Sequence, residues 1–420
     1  MQEPDPRAGS PYVVLTTLTL AYVLNFVDRQ VLAIVALDVK QELGLSDTQL
    51  GLLLGPAFAV CFTLSGFVLA RIADVSSRRA VLATGVAVWS LLTAACGIAR
   101  SYTTLAFLRF GVGIGEAAGT PPSHSLISDY FPPERRARAF SIYGLGIYFG
   151  TAFGFAGGGL VAQYFDWRTA FLAAGLAGLP LALWIAIAVR EPKRQGAHVE
   201  APPLRAVLPA IFATPTFRWL MVAASCQAFV GYAVLSWGAP FLRRVFGLTA
   251  GEAGVAFGLI AGVTGALGAL IGGTLVDRLA QRDARWYAWL SAVVSLAAFP
   301  ACAVFVLARD VALSLAAFGV FYLINNAYLG SLWTLVQGLV APRLRATASA
   351  TQLAITNLIG YGVGPALVGW MNDALASRYG DDAIRWSLRL CACVGALSAL
   401  FFWRCARSVR EDLAAVAAGA

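Results

Sequence analysis

Charge is the scarcest commodity in this chain. Only 13% of its 420 residues are Asp, Glu, Lys or Arg, against about 25% in a soluble domain. Lysine is nearly missing, with only Lys40 and Lys193, so the basic residues are almost all arginine. That bias points to genome composition, as in a GC-rich bacterium, and not to chemistry. Histidine occurs twice, and no Ser/His, paired-Asp or His-cluster arrangement suggests an enzyme. The seven cysteines form no disulfide framework: Cys61, Cys96, Cys226, Cys302, Cys391 and Cys393 fall in apolar runs, and Cys405 follows the last one. Cys391 and Cys393 stand too close for a usual zinc pair, with no His nearby, so no metal is expected. Gly113-Ile114-Gly115 follows no strand and is no nucleotide fingerprint. No cofactor is expected. The net charge of +9 does not imply nucleic acid, because the arginines lie mostly in short connections between apolar runs.

Those apolar runs are what the chain has in abundance. Hydrophobic residues make up 59% and mean hydropathy is +0.72. The runs approach the ~20 residues needed to cross a bilayer. Breaks at charged or Pro/Gly-containing connections predict twelve transmembrane helices, at 12–36, 49–72, 79–99, 104–128, 138–163, 168–189, 217–242, 252–276, 286–307, 311–339, 347–370 and 385–404. The expected class is an all-α membrane protein. Met1 to Pro11 is polar and lacks a basic n-region, which predicts an uncleaved first span in place of a signal peptide. Most arginines fall in the tails and in the connections at 71–79, 129–138, 190–216, 277–285 and 341–346. The positive-inside rule then places both termini in the cytoplasm, with a bacterial inner membrane as the expected location.

The polar stretch 190–216, with Arg190, Lys193, Arg194, His198, Glu200 and Arg205, divides the chain into residues 1–189, a linker, and residues 217–420. The halves echo each other. Ala70, Asp74 and Arg79 recur in spacing as Gly273, Asp277 and Arg282. Pro133-Glu134-Arg135-Arg136-Ala137-Arg138-Ala139 recurs as Pro342-Arg343-Leu344-Arg345-Ala346-Thr347-Ala348. Two such echoes imply two parallel six-helix repeats.

At this point the chain resembles the major facilitator superfamily over nearly its whole length. The Asp-containing loops resemble that superfamily's signature after span 2 and its copy after span 8. The first copy departs from it at Ala70, Val75 and Ser77; the second keeps Gly273, Asp277, Arg278 and Arg282. Arg109 with Gly113 and Gly115 resembles its fourth-span motif. Gly144, Gly146, Gly150, Gly154, Gly157 and Gly158 resemble its glycine-rich fifth span, without the Gly-Pro pair; Gly364-Pro365 lies in span 11. Asn25-Phe26-Val27-Asp28-Arg29, the run from Arg109 to Glu116-Ala117, and Ile127-Ser128-Asp129-Tyr130-Phe131-Pro132 are similar to the spinster-like group. The resemblance implies two pseudo-symmetric six-helix bundles and a proton-coupled carrier of lysolipids or sphingosine phosphate, working by alternating access. Its alternatives on the same scaffold are a drug exporter, a carrier of small organic anions, or an energy-independent lipid translocator. The partners implied are membrane lipids, protons and an amphiphilic or anionic substrate; a monomer suffices. No ATP-binding motif is present, so a gradient must drive any uphill step.

Four charges inside expected spans carry the chemistry: Asp28 and Arg29 in the first, Arg109 and Glu116 in the fourth. Each costs about 2.5–3.5 kcal/mol at mid-bilayer on insertion scales. Such residues face a cavity, pair, and work. Asp28 and Glu116 are the expected proton-coupling carboxyls, since a desolvated carboxyl favours its protonated form. Asp28 is expected to pair with Arg29 or Arg109 in one state and to exchange partners in the other, and the guanidinium groups suit a phosphate or carboxylate head. A static clamp between spans 1 and 4 is the plainer alternative. Asp74, Arg78, Arg79, Asp277, Arg278 and Arg282 are expected gating latches. Arg385 and Arg389 are expected to snorkel, and His124 to be a hydrogen-bonded packing residue. The substrate cavity is expected to include Asn25, Tyr143, Tyr148, Gln227, Tyr232, Asn325, Asn326, Gln352 and Asn357, although amides in spans more often bond neighbouring helices. The second half has no mid-span charge. A charged half and an apolar half suit an amphiphile.

Overall fold

The computed structural model describes residues 10–192, 204–341 and 344–418. Most of the N-terminal segment, Lys193, Arg194, His198 and Glu200 of the linker, and Pro342-Arg343 of the second echo lie outside them. The described residues hold helices and no strand. They form two compact units, one of Met1–Ala197 with Leu242–Gly262, the other of His198–Phe241 with Val263–Ala420.

The first repeat supplies α1 (Pro11–Ile34), α2 (Ala36–Leu43), α3 (Asp47–Leu54), α4 (Pro56–Val75), α5 (Arg78–Cys96), α6 (Tyr102–Ala117), α7 (Thr120–Tyr130), α8 (Pro133–Tyr164) and α9 (Trp167–Ala188). Sequence punctuation sets their ends. Gly44, at φ 64°, closes α2, and Ser46 with Gln49 forms a capping box that opens α3, each satisfying backbone groups that a helix end leaves bare. Pro121 and Pro122 separate α6 from α7, since proline cannot donate into a continuing helix.

The second repeat supplies α10 (Leu204–Ala213), α11 (Pro215–Phe246), α12 (Ala250–Ala280), α13 (Trp286–Leu307), α14 (Val311–Asn326), α15 (Leu329–Gly338), α16 (Arg345–Thr356), a π-helical stretch (Asn357–Val363), α17 (Gly364–Tyr379) and α18 (Ala383–Ala418). Repeat symmetry reaches the caps. Arg168 donates to the carbonyls of Gly97 and Ala99 just past the end of α5, at 3.0 and 2.7 Å. Arg385 does the same for α13, reaching Val306 and Ala308 at 2.5 and 2.9 Å. Arg385 is thus a cap and not a snorkelling surface charge; buried carbonyls at a helix end outcompete the interface for its donors. Arg389 lies over the ring of Trp386.

Ten helical stretches among the described residues are long and apolar enough to cross a membrane. Thr347–Val416 counts as one of them although it holds two expected spans, parted at Gly380 with φ 54°. The expected span 104–128 is missing from the ten. It falls to α6 and α7, where Arg109, Glu116, His124 and the two prolines lower hydropathy and interrupt the helix.

Close backbone approach holds unit 1 together. A Cβ on Gly150 would lie 2.4 Å from the Val23 carbonyl oxygen of α1. On another face of α8, a Cβ on Gly159 would lie 2.3 Å from the Ala250 oxygen of α12. The glycine run of span 5 is therefore a two-sided packing surface, the membrane route to tight helix contact.

Candidate functional site

Arg29 donates from Nε to Glu116 Oε2 at 2.8 Å, joining α1 to α6. Both side chains are buried, at 9% and 0% exposure. The Arg29 guanidinium carbon lies 4.9 Å from the ring centre of Phe26, 4.7 Å from Phe58 and 4.7 Å from Phe62. Phe58 and Phe62 are one turn apart on α4, so they present their rings side by side. Three rings and one carboxylate fix this cation, and cation–π attraction strengthens as water is excluded.

Asp28 goes elsewhere. Its Oδ2 accepts from Thr93 Oγ1 of α5 at 3.3 Å, and it forms no ion pair with Arg29 or Arg109 among the described residues. In this conformation Asp28 pairs with neither arginine, for a reason of helix geometry. Neighbours on a helix do not face one way, so Asp28 turns to α5 while Arg29 turns to α4 and α6. Asp28 still feels the charges of Glu116, Arg109 and Arg29.

Arg109 is fully buried, and Nε, Nη1 and Nη2 all lack a hydrogen-bond partner. Its guanidinium lies 5.4 Å from the Phe58 ring centre. Asn25 Oδ1, Asp28 Oδ1 and Glu116 Oε1 are buried and unpartnered too. The cluster is half-satisfied, an expensive arrangement in a low-dielectric interior. Tyr143 stacks on Tyr22 at 4.4 Å between ring centres, and His124 meets Tyr143 edge-on at 5.5 Å. His124 also meets Phe140 edge-on at 5.2 Å, as a packing residue does. Tyr148 is partly buried further along α8.

Of the expected latches, Arg78 is the hub. It donates to Asp129 at 2.5 Å, Glu191 at 2.8 Å, Ser125 at 2.8 Å and the Pro192 carbonyl at 3.2 Å. The backbone N–H of Arg79 donates to Glu191. Burial pushes the Glu191 carboxyl up, but the donors of Arg79, Arg78 and Ser77 outweigh it and hold it below the usual range. Asp74, Asp277, Arg278 and Arg282 are exposed and form no ion pair among the described residues, so their helix-end positions leave them to solvent. In unit 2 the acid at the corresponding end is Asp283, which pairs with Arg285 and Arg410.

The expected cavity residues of the second repeat turn inward. Gln227 donates to Asn325 at 2.8 Å and accepts from Ser398 at 2.9 Å, tying α11, α14 and α18 together. They border a small cavity with Ser295, Cys302 and Phe321. Asn326 donates to the Tyr322 carbonyl, and Gln352 to Thr356. Tyr232 meets Tyr361 at 4.9 Å, and Asn357 opens the π-helical stretch. Gln227 and Asn325 both bond each other and line that cavity, while Asn326 and Gln352 use their amides on bonds within their own helices, because an unpartnered amide in an apolar interior is costly.

A further ion-pair cluster in unit 1 was not expected. Arg243 forks onto Asp38 at 2.7 and 2.8 Å, and Arg244 onto Asp47 at 2.6 and 3.0 Å; Lys40 also holds Asp47. Phe58, Phe62, Thr93, Asp129 and Glu191 were likewise missed. The four-residue spacing of Phe58 and Phe62 was the one available signal, and it is common in any apolar helix.

A helical membrane protein with paired repeats and a buried, half-paired charge cluster belongs to the class of membrane transporters. The Major Facilitator Superfamily model matches residues 18–358, and the chain belongs to that superfamily. It is 33% identical over 410 residues to an MFS-type efflux pump of Mycolicibacterium smegmatis, covering 96% of this chain and 94% of that one. It is 28% identical to protein spinster homolog 1 of Mus musculus, covering 96% and 82%. A solved bacterial homolog of the human lysosomal transporter Spinster, in an inward-facing and unoccupied conformation, superposes with TM-score 0.87 at 30% identity, covering 97% and 99%. The spinster-like resemblance thus holds in sequence and fold, and the relatives are transporters, not enzymes.

Proposed function

We propose that this protein is a proton-coupled secondary transporter of lysolipids or related amphiphilic anions, working by alternating access. The observation that supports it best is the half-paired cluster: one Glu116 oxygen holds Arg29 while the other, Asp28 Oδ1 and the Arg109 nitrogens have no partner. A static clamp has no use for bare donors and acceptors. A proton on Glu116 removes the negative charge that holds Arg29. The cation, framed by Phe26, Phe58 and Phe62, then takes a phosphate or carboxylate through parallel hydrogen bonds. Asp28 is the second proton site and Arg109 the second headgroup cation. The substrate class follows the spinster-like resemblance. In this reading the chain crosses a bacterial inner membrane twelve times, as a monomer with both termini cytoplasmic.

A second reading, export of drugs, is favoured by the 33% identical efflux pump. The test is flux of labelled lysophospholipid in proteoliposomes, with and without a pH gradient, for the wild type and Glu116→Gln. Gradient-driven flux that disappears in Glu116→Gln is the expected result. Equal, pH-insensitive flux in both overturns proton coupling. No flux in the wild type, with export of neutral or cationic compounds, overturns the lipid assignment in favour of the second reading.

A further inference from the structure

On α18 the side chains of Leu397, Leu400 and Trp403 are exposed, at 46%, 58% and 49%. Their spacing of three makes one outward apolar stripe. The stripe stops at Trp403, and exposed Arg404 and Arg407 follow. An outward tryptophan followed by arginine marks the edge of a bilayer, where aromatic rings sit at headgroup level.

The two arginines are held in an unusual way. Arg404 lies 5.0 Å from the ring centre of Trp219 on α11, and Arg407 lies 4.2 Å from that of Trp403. Neither forms an ion pair among the described residues, whereas their neighbour Arg410 is taken by Asp283. Trp219 is itself stacked on Phe401, with ring centres 5.8 Å apart and planes 12° apart. The surrounding frame is rigid. Thr216 of α11 bonds Ser408 at 2.6 Å and Asp412 at 3.0 Å. Of the nearby acids, Glu411, one turn beyond Arg407, forms no ion pair with it among the described residues, and Asp412 accepts from the Thr216 backbone.

A guanidinium held against an indole ring, as these two are, is partly fixed in advance and loses less further freedom when it binds an anion. Positive donors next to an exposed apolar stripe complement a group that is anionic at one end and oily at the other. We infer that Arg404 and Arg407, with Trp219 and Trp403, form a peripheral site for the phosphate of an anionic phospholipid, whose chains lie along Leu400 and Leu397. This site is on unit 2, distinct from the charge cluster of unit 1. It does not depend on what the protein transports.

Each basic residue near an anionic surface contributes about 1 kcal/mol, roughly fivefold in affinity, so losing both arginines weakens binding by about thirtyfold. The test uses the full chain in detergent. Binding of phosphatidylglycerol, phosphatidylcholine and inorganic phosphate is counted by native mass spectrometry and followed by thermal unfolding, for the wild type, Arg404→Gln/Arg407→Gln and Arg404→Lys/Arg407→Lys. The expected result is a phosphatidylglycerol adduct and a raised midpoint in the wild type. Both are largely lost in the Gln pair and partly kept in the Lys pair. Equal effects of phosphatidylcholine and phosphatidylglycerol, or equal effects in wild type and Gln pair, overturn the site. Full stabilisation by inorganic phosphate alone overturns the lipid assignment. The midpoint without added lipid reports whether either variant is misfolded, and the Lys pair, which keeps the charge, guards against that loss.

Discussion

Arg29 and Glu116 lie 87 residues apart in sequence and 2.8 Å apart in space. That single contact joins the two spans in which charge was least expected. The arginine donates from Nε to Glu116 and lies within 5 Å of the ring centres of three phenylalanines. A lysine keeps the charge but has neither a fork nor a flat face. A hydrogen bond to a charged group contributes about 1.5–3 kcal/mol. Arg29→Lys is therefore expected to raise KM for an anionic amphiphile about tenfold or more, with a smaller change in the unfolding midpoint. Unchanged KM in proteoliposome flux would remove Arg29 from headgroup binding.

The two arginines at the end of α11 are expected to differ in weight. Arg244 and Asp47 are 11% and 3% exposed, while Arg243 and Asp38 are 13% and 32% exposed. Breaking a buried pair costs up to about 3–5 kcal/mol when a bare charge stays behind; the partly exposed Lys40 offsets only part of that loss for the buried Asp47, whereas the partly exposed Asp38 is rescued by water. Arg244→Gln should lower the midpoint more than Arg243→Gln. Exchanging charges, as in Asp38→Arg with Arg243→Asp, should recover part of the loss. A reversed order in thermal unfolding contradicts the burial argument.

Glycines on α8 should divide into two groups. Gly150 has no room for a methyl group, with the Val23 oxygen 2.4 Å from an added Cβ; Gly144 and Gly157 have nothing within 4 Å. Gly150→Ala is expected to separate α1 from α8 and to destabilise by roughly 1–3 kcal/mol, as overpacking does. Gly157→Ala is expected to be neutral or stabilising by up to about 1 kcal/mol, because alanine is the better helix former. Thermal midpoints of the two variants in one detergent decide this.

Acid should loosen the Arg78 hub. Glu191 is held below its usual carboxylate range in the folded chain. A depressed folded value means the folded state resists protonation. Its contribution is fully present above the unfolded value, about 4.3, and is lost as pH falls through the folded value. Midpoints of wild type and Glu191→Gln should differ by a constant amount from neutral pH down to the unfolded value and converge as pH falls further, through the lower folded value. A gap that stays constant however far the acid titration is carried would assign the effect to something other than Glu191 ionisation.

How much of this was legible beforehand depends on the kind of residue. Asp28, Arg29, Arg109 and Glu116 were conspicuous because charge in an apolar run is costly enough to need a reason. The repeat echoes around Asp74 and Asp277 pointed to paired halves, yet those two acids make no ion pair among the described residues, while Asp129, Glu191 and Asp283 do. A charge at a helix end is cheap in solvent, so its sequence carries no sign of whether a partner waits. The amides of Gln227 and Asn325 had two readings, bonding or cavity lining, and the structure shows both, in their 2.8 Å contact and at the wall of a small cavity.

Sequence alone determined the class: bilayer-length apolar runs, two repeats, and four charges that a membrane tolerates only for use. Hydropathy and spacing are local quantities and survive in one dimension. Tertiary structure decided the partners. Whether Asp28 turns to Thr93 and Arg29 to Glu116 depends on helix rotation, and whether Phe58 faces a cation or lipid depends on which helix packs beside it. Those choices rest on contacts between residues scores of positions apart, which no periodicity records.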